Sequence, residues 1–156
     1  MKPLPILLVE DDENDVIFVR HAFKQAEIVN PLVVVQSGEQ AMDYLMHKGS
    51  FAEEPEGPLP CLILMDVNIA GNTSGLDILR FIRAEAPLRH LIVLLWSSTS
   101  PPQAVRTAYE CGVNSFLVKP SNTRDLLELA RLIRQYWLEH NQIPAEPANS
   151  LGFSVG

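Results

Sequence analysis

The chain has 156 residues, a formal net charge of −7 and a hydrophobic content of 47%, which together indicate one globular domain. The acidic charge argues against sequence-independent nucleic-acid binding, which needs a basic surface. Every apolar run is far shorter than the roughly 18 residues that span a bilayer. The two cysteines, Cys61 and Cys111, form neither a disulfide framework nor a CxxC metal pair. We therefore expect a cytoplasmic protein that contacts neither nucleic acid nor membrane.

Apolar runs alternate with amphipathic stretches, a pattern that predicts five β-α units. The predicted strands are the runs 4–9, 32–35, 61–65, 91–96 and 115–118. The predicted helices begin near Asp12, Ser37, Ser74, Ser100 and Thr123, and the last one runs to about His140. Strands that are separated by helices must be parallel, with right-handed crossovers. The chain is therefore predicted to be an α/β protein with a doubly wound, five-stranded parallel sheet of flavodoxin-like strand order.

This domain is predicted to occupy residues 1–141. The polar stretch 47–60, which is rich in glycine, proline and glutamate, is expected to be a surface loop before the third strand. Residues 142–156 contain two prolines and two glycines with little periodicity. We expect them to form a flexible tail, or a segment that contacts a partner or a second copy of the chain.

Polar residues follow the predicted strands at the edge of the sheet where open α/β folds place their sites. These residues are Glu10, Asp11 and Asp12 after the first strand, Asp66 after the third, Ser97 after the fourth and Lys119 after the fifth. Two carboxylates 4 Å apart repel each other by about 4 kcal/mol at an effective dielectric near 20. A hard cation removes that cost, and Mg²⁺ takes carboxylate oxygens together with a phosphoryl oxygen. Asp66 in such a cluster can act as a nucleophile toward phosphorus, with Ser97 and Lys119 as donors to the transferred group.

Short motifs at these strand ends resemble the signatures of response-regulator receiver domains. They are LLVEDD at 7–12, LMDVN at 64–68, WSS at 96–98 and VKP at 118–120. The resemblance extends over about residues 4–140. It implies a (βα)5 receiver fold and a response regulator of a two-component phosphorelay, in which a sensor histidine kinase phosphorylates Asp66. Such a protein is a phosphoacceptor that catalyses its own phosphorylation and dephosphorylation, rather than a conventional enzyme.

The same resemblance implies a Mg²⁺ cofactor and four residues that hold it. Asp11 and Asp66 are expected to ligate the ion directly, Asn68 through its backbone carbonyl and Glu10 through a water molecule.

The resemblance also implies a conformational switch. Ser97 stands at the position of the switch hydroxyl, Phe116 at that of the switch aromatic residue, and Lys119 at that of the phosphoryl partner. The Lys119–Pro120 bond is expected to be cis, a form that only proline makes energetically cheap.

A finer resemblance is to the stand-alone regulators that are paired with bacterial phytochromes. It is carried by the long loop before the third strand, by Asp66-Val67-Asn68, and by the ending YWLE at 136–139 followed by Ile143-Pro144. It implies a phytochrome kinase as a candidate phosphate donor, no DNA-binding output domain, and homodimerisation through the C-terminal part of the fold. The output is then a protein–protein contact with an unidentified downstream partner.

The chain departs from the family pattern beside the phosphoacceptor. Ala70 stands where the family usually has proline, and Gly75 lies nine residues after Asp66 instead of eight. We interpret residues 71–74 as a segment with one residue more than the family pattern, that is, a one-residue insertion. The loop that contains it borders the site. Asp12 is either a metal ligand or the N-cap of the first helix.

Three other functions remain open from the residues alone. A receiver-like adaptor that works without phosphorylation is one, although the acidic pair, Asp66, Ser97 and Lys119 are all present. An aspartate-based, Mg²⁺-dependent phosphohydrolase needs Asp-x-Asp on its first strand, whereas the nearest match here is Asp66-Val67-Asn68. A flavodoxin needs a first loop rich in Ser, Thr and Gly, and this chain has acidic residues there.

Overall fold

Five parallel strands alternate with five α-helices in the computed structural model, which describes residues 2–52 and 57–144. The strands are β1 (Ile6–Val9), β2 (Leu32–Val35), β3 (Leu62–Asp66), β4 (Val93–Ser97) and β5 (Ser115–Val118). The helices are α1 (Glu13–Gln25), α2 (Gly38–Met46), α3 (Gly75–Ala84), α4 (Pro102–Glu110) and α5 (Thr123–Ile133). The strand order β2-β1-β3-β4-β5 confirms the predicted doubly wound sheet.

The two faces of the sheet bury separate apolar clusters, which explains why the central strands are apolar at every position. All residues of β1, β3 and β4 are buried, whereas the edge strands β2 and β5 are mostly half-buried. Leu7 and Met65 face the cluster that includes α2 and α3, while Leu8 and Trp96 face the cluster that includes α1 and α5. The polar residues that end these strands are therefore attached to a tightly packed frame.

The helix starts are fixed by side-chain caps at three of the predicted positions. Asp12 accepts hydrogen bonds from the first turn of α1, and Ser37 does the same for α2. Ser74 and Asp77 form a reciprocal capping box at the start of α3, as the sequence pattern predicts.

The predicted cap of α4 is wrong. This helix begins at Pro102 after Pro101 and has no side-chain cap, although Ser100 and Gln103 fit the capping pattern. Pro102 disfavours the helical conformation for the residue before it, so Pro101 stays extended with φ −58° and ψ 137° and takes the cap position in place of Ser100.

Three further expectations need correction. The helix that ends the fold is α-helical only to Ile133 and continues as a π-helical segment, Arg134–His140, which is too short for the spacing of apolar residues to separate α from π turns. The loop at 47–60 contains a short 3₁₀ turn, Gly49–Phe51. No peptide bond among the described residues is cis, so Lys119–Pro120 adopts the trans form, which X–Pro bonds favour by about 0.5–1 kcal/mol.

Part of the expected tail, 145–156, lies outside the described residues, as does 53–56 of the loop. Within the described ranges, no helix combines the length and the apolar character that crossing a bilayer requires.

A partly buried arginine of α3 ties this helix to two loops on the side of the sheet away from the strand ends that carry the carboxylates. Arg83 donates hydrogen bonds to the carbonyls of Leu91 at 2.7 Å, Gly112 at 2.8 Å and Arg89 at 3.0 Å, and to Asn114 Oδ1 at 2.7 Å. The guanidinium therefore fixes the approaches to β4 and β5.

We expect Arg83→Ala to lower the free energy of unfolding by about 2–4 kcal/mol, because the substitution leaves several acceptors without their charged donor. Arg80→Ala is the matched control on the same helix, since Arg80 is exposed and pairs only with Asp77 at 3.4 Å, an interaction worth less than about 1 kcal/mol. Urea unfolding followed by circular dichroism measures both. Equal losses for the two variants would contradict the proposed anchoring role.

Candidate functional site

The carboxyl ends of four neighbouring strands bring the predicted polar residues to one edge of the sheet. Asp66 ends β3 and lies opposite Trp96 on β4, while Ser97 ends β4 and lies opposite Val118 on β5. Glu10 directly follows β1, and Lys119 directly follows β5. The backbone N–H of Lys119 donates to the Ser97 carbonyl at 2.8 Å, which fixes the start of the Lys119 side chain beside the site.

The ammonium of Lys119 is surrounded by carboxylates. Its Nζ lies 2.6 Å from Asp66 Oδ2, 2.8 Å from Asp15 Oδ2 and 2.9 Å from Glu10 Oε2. The contacts with Asp66 and Asp15 are hydrogen bonds, and the contact with Glu10 is a close ion pair. Only 13% of the Lys119 side chain is exposed, so solvent screens these interactions weakly.

Burial and charge act in opposite directions on the two buried partners. Burial lowers the pKa of Lys119, but its close contacts with the carboxylates of Asp15, Asp66 and Glu10 outweigh burial and raise the pKa above its usual value. Glu10 is fully buried, and desolvation raises its pKa to about 7 although Lys119 opposes the shift. Lys119 is therefore cationic at neutral pH, and Glu10 is the carboxyl of this site that changes its protonation near that pH.

Both oxygens of Asp66 are held in place. Oδ1 accepts a hydrogen bond from the backbone N–H of Asn68 at 2.8 Å, and Oδ2 accepts one from Lys119. The side chain is 10% exposed, so a reagent in solution can still reach it. The carboxylate is thus oriented by one donor on each side.

Three carboxylates form a group that fits a metal ion. Ligand oxygens of Glu10, Asp11 and Asp66 all lie within 4.8 Å of one another. Mg²⁺ binds oxygens at about 2.1 Å and keeps part of its water shell, so one ion can join these groups directly or through water. Asp11 is the most accessible of the three, and its Oδ2 accepts a hydrogen bond from the Ala70 N–H at 2.9 Å. The donor set suits a hard divalent cation.

Ser97 ends β4, and Phe116 lies on the neighbouring β5 opposite Leu95. Neither side chain is among the described ion-pair partners of Lys119 Nζ. Ser97 is buried, and its hydroxyl accepts a long hydrogen bond of 3.5 Å from the Thr99 N–H. Phe116 is half-buried and packs against the apolar cluster that faces α2 and α3. Asn68 donates its backbone N–H to Asp66. That its carbonyl binds the metal stays a prediction.

The loop from β3 to α3 approaches Asp66 closely. The N–H of Gly75 donates to the Val67 carbonyl at 3.1 Å, and a Cβ atom at Gly75 would lie only 2.5 Å from the Asp66 carbonyl oxygen. Thr73 Oγ1 donates to Glu39 Oε1 at 2.8 Å, which ties the inserted part of the loop to α2. The glycine is therefore required where α3 begins against the strand end.

Two residues of the site were not predicted from the sequence. Asp15 lies in the first turn of α1, three residues after its cap Asp12, and it reaches the site only because of how that helix is rotated, which the sequence does not specify. The Trp96 ring lies 5.2 Å from Lys119 Nζ, a distance within the range of a cation–π contact. Asp12 accepts from the N–H groups of Asn14 and Asp15, so it acts as the helix cap.

Comparisons with known proteins agree with this geometry. The sequence model of the family described as response regulator receiver domain matches residues 6–131. Response regulator Rcp1 from Synechocystis sp. is 32% identical over 143 residues, which cover 92% of this chain and 95% of that protein.

Solved structures show the same likeness over the same length. The phosphorylated cyanobacterial phytochrome response regulator RcpA superposes with a TM-score of 0.83 at 26% identity, over 92% of this chain and 99% of RcpA. The Mn²⁺-bound form of Rcp1 superposes with a TM-score of 0.81 at 31% identity, over 92% of this chain and all of that chain. The chain therefore belongs to the response-regulator receiver domain family.

Proposed function

We propose that this response regulator accepts a phosphoryl group on Asp66 from a sensor histidine kinase and signals through protein contacts. The observation that carries the proposal is the placement of Asp66, whose Oδ2 lies 2.6 Å from Lys119 Nζ beside the carboxylates of Glu10 and Asp11. A nucleophile, a cation for the transferred group and a candidate metal site thus meet at one strand end.

In the proposed reaction, an Asp66 oxygen forms a bond to phosphorus while the bond between phosphorus and the donor breaks, and the donor keeps the electron pair. The Asn68 N–H holds the other Asp66 oxygen during this step. Lys119 then neutralises charge on the transferred oxygens. In dephosphorylation a water oxygen attacks the phosphorus while the bond between phosphorus and Asp66 breaks; Asp66 keeps the electron pair and returns to its carboxylate form, and inorganic phosphate leaves with the proton of the water.

Glu10, Asp11 and Asp66 are proposed to hold a Mg²⁺ ion, with the Asn68 carbonyl as a further ligand. When bound, the ion would supply positive charge for the phosphoryl oxygens. That a related regulator, Rcp1, has been solved with Mn²⁺ bound supports a divalent cation in this fold.

We propose that the conformational switch begins with a movement of Ser97 and that Phe116 moves in response. Ser97 follows Trp96 at the end of β4, and Phe116 lies on the neighbouring β5. A hydroxyl drawn toward a phosphoryl group vacates space that the half-buried Phe116 can fill. The shift changes the face formed by α4, β5 and α5, which presents the exposed apolar side chains of Tyr109, Val118 and Leu132.

We propose a phytochrome kinase as the phosphate donor and this C-terminal face as the contact with a second copy or a downstream protein. Support for the donor comes from the similarity of the chain to RcpA, which is a cyanobacterial phytochrome response regulator. Support for the face comes from Leu132 and Tyr136, whose side chains are 61% and 56% exposed. The free cysteines Cys61 and Cys111 are consistent with a reducing cytoplasm.

Asp66→Asn is expected to abolish Mg²⁺-dependent labelling by acetyl phosphate, because the amide is not a nucleophile toward phosphorus. Asp12→Asn is the matched control, since asparagine caps helices as well as aspartate does and Asp12 lies outside the proposed metal group. Intact-protein mass spectrometry detects the added phosphoryl group. Labelling of Asp66→Asn at the wild-type rate would favour another acceptor, and an unlabelled wild type would favour the phosphorylation-independent adaptor.

The raised pKa of Glu10 predicts that the metal-free protein loses stability as the pH rises from about 5 to about 8. Its folded pKa of about 7 exceeds the ordinary value of 4.5, so its contribution is complete below about 4.5 and is lost as the pH passes through about 7. Lys119 stays charged throughout this window and adds no slope. The loss is expected to be on the order of 2 kcal/mol.

Urea unfolding in the presence of a chelator at both pH values measures this loss. Glu10→Gln, which is isosteric and does not titrate, should reduce it strongly. An excess of Mg²⁺ should also reduce it, because the ion favours the ionised form of Glu10. An unchanged pH dependence in Glu10→Gln would show that another group is responsible.

Phosphotransfer from purified kinases tests the proposed donor. We expect a phytochrome histidine kinase with labelled ATP to phosphorylate the wild type faster than histidine kinases with unrelated sensors. Size-exclusion chromatography before and after the reaction reports whether the C-terminal face changes its association. Equal rates from all kinases would argue against the phytochrome pairing and leave the phosphoacceptor role intact.

A further inference from the structure

Lys119 and a bound Mg²⁺ ion would compete for the same carboxylates. Glu10 and Asp66 belong both to the group that can hold a metal and to the partners of Lys119. Asp11 belongs only to the metal group, whereas Asp15 belongs only to the partners of Lys119. The site therefore has a metal end at Asp11 and an ammonium end at Asp15, with two shared carboxylates between them.

The lysine has three N–H donors; it donates to Asp66 and Asp15, and its ammonium lies 2.9 Å from Glu10 Oε2. When Glu10 and Asp66 bind a divalent ion, they neutralise less of the positive charge of the ammonium. The ammonium then lies beside a second cation. Even two unit charges 4 Å apart repel by about 4 kcal/mol at an effective dielectric near 20. A carboxylate that contacts the ammonium and lies outside the metal group relieves this repulsion.

Asp15 is well placed for that task. It lies in the first turn of α1, and its backbone N–H is bound by the capping side chain of Asp12 at 3.1 Å, so its position is set by the helix start. Its Oδ2 lies 2.8 Å from Lys119 Nζ, and 35% of its side chain is exposed. The Trp96 ring, 5.2 Å from Nζ, limits movement of the ammonium on another side.

We propose that Asp15 is a positioning residue that holds Lys119 at the α1 end of the pocket, so that the ammonium and Mg²⁺ occupy the site together. The inference rests on the metal site proposed above. Asp15 touches neither the proposed ion nor the phosphoryl group and acts only through Lys119. Its removal raises the cost of Mg²⁺ binding, because the displaced ammonium then has no partner of its own.

Isothermal titration calorimetry of Mg²⁺ binding tests this role without requiring phosphorylation. We expect Asp15→Asn to weaken Mg²⁺ binding by about 5- to 10-fold, the range of couplings between neighbouring charged residues. Glu13→Gln is the matched control for loss of one charge in the same helical turn, and we expect it to weaken binding less than about 2-fold, as a charge that solvent screens does. Asp15→Glu, which keeps a carboxylate, should recover part of the affinity.

A double-mutant cycle separates positioning from general electrostatics. In a Lys119→Met background there is no ammonium to hold, so adding Asp15→Asn should weaken Mg²⁺ binding no more than Glu13→Gln does. If Asp15→Asn weakens binding as strongly in that background, or no more than Glu13→Gln does in the wild type, the positioning role is overturned. If the wild type itself binds no Mg²⁺, the proposed metal site fails and the inference falls with it.

Discussion

The feature on which the site depends is an excess of negative charge around a single ammonium. The carboxylates of Glu10, Asp11, Asp15 and Asp66 share one strand-end pocket with Lys119. Such a group is unfavourable by itself because burial weakens hydration while the charges repel. The raised pKa of Glu10 is one way in which the metal-free chain relieves the excess. The divalent cation proposed for the site would relieve it further.

The apolar frame keeps the carboxylates together against their repulsion. β1, β3 and β4 are buried along their whole lengths, so a displacement of Glu10 or Asp66 would have to disturb strands that pack on both faces. Arg83 pins the opposite side of α3 to the approaches of β4 and β5. Apolar packing away from the site thus offsets the repulsion among the carboxylates. The fold stays intact although the site carries an excess of negative charge.

The sequence predicts those parts of the structure that follow from topology. In a parallel sheet the carboxyl ends of the strands share one edge, so Asp66, Ser97 and Lys119 could be placed together from their positions after apolar runs. The partner choice of Lys119 could not be predicted, because it depends on how α1 is rotated and brings Asp15 within 2.8 Å. The start of α4 was mispredicted because Pro102 keeps Pro101 extended, and the seven-residue π-helical segment is too short for the spacing of apolar side chains to distinguish it from an α-helix.

The loop between β3 and α3 is held against the site by its backbone conformation and by its hydrogen bonds. Gly71 has a φ of +106°, a conformation that favours glycine, and Ser74 restarts the chain as a helix through its capping box. Gly75 consequently begins the helix in close approach to the Asp66 carbonyl oxygen. On the outer side, Ala70 donates to Asp11 and Thr73 donates to Glu39. These two bonds attach the loop to α2 and to a proposed metal ligand, so both the inner and the outer side of the loop are held next to Asp66.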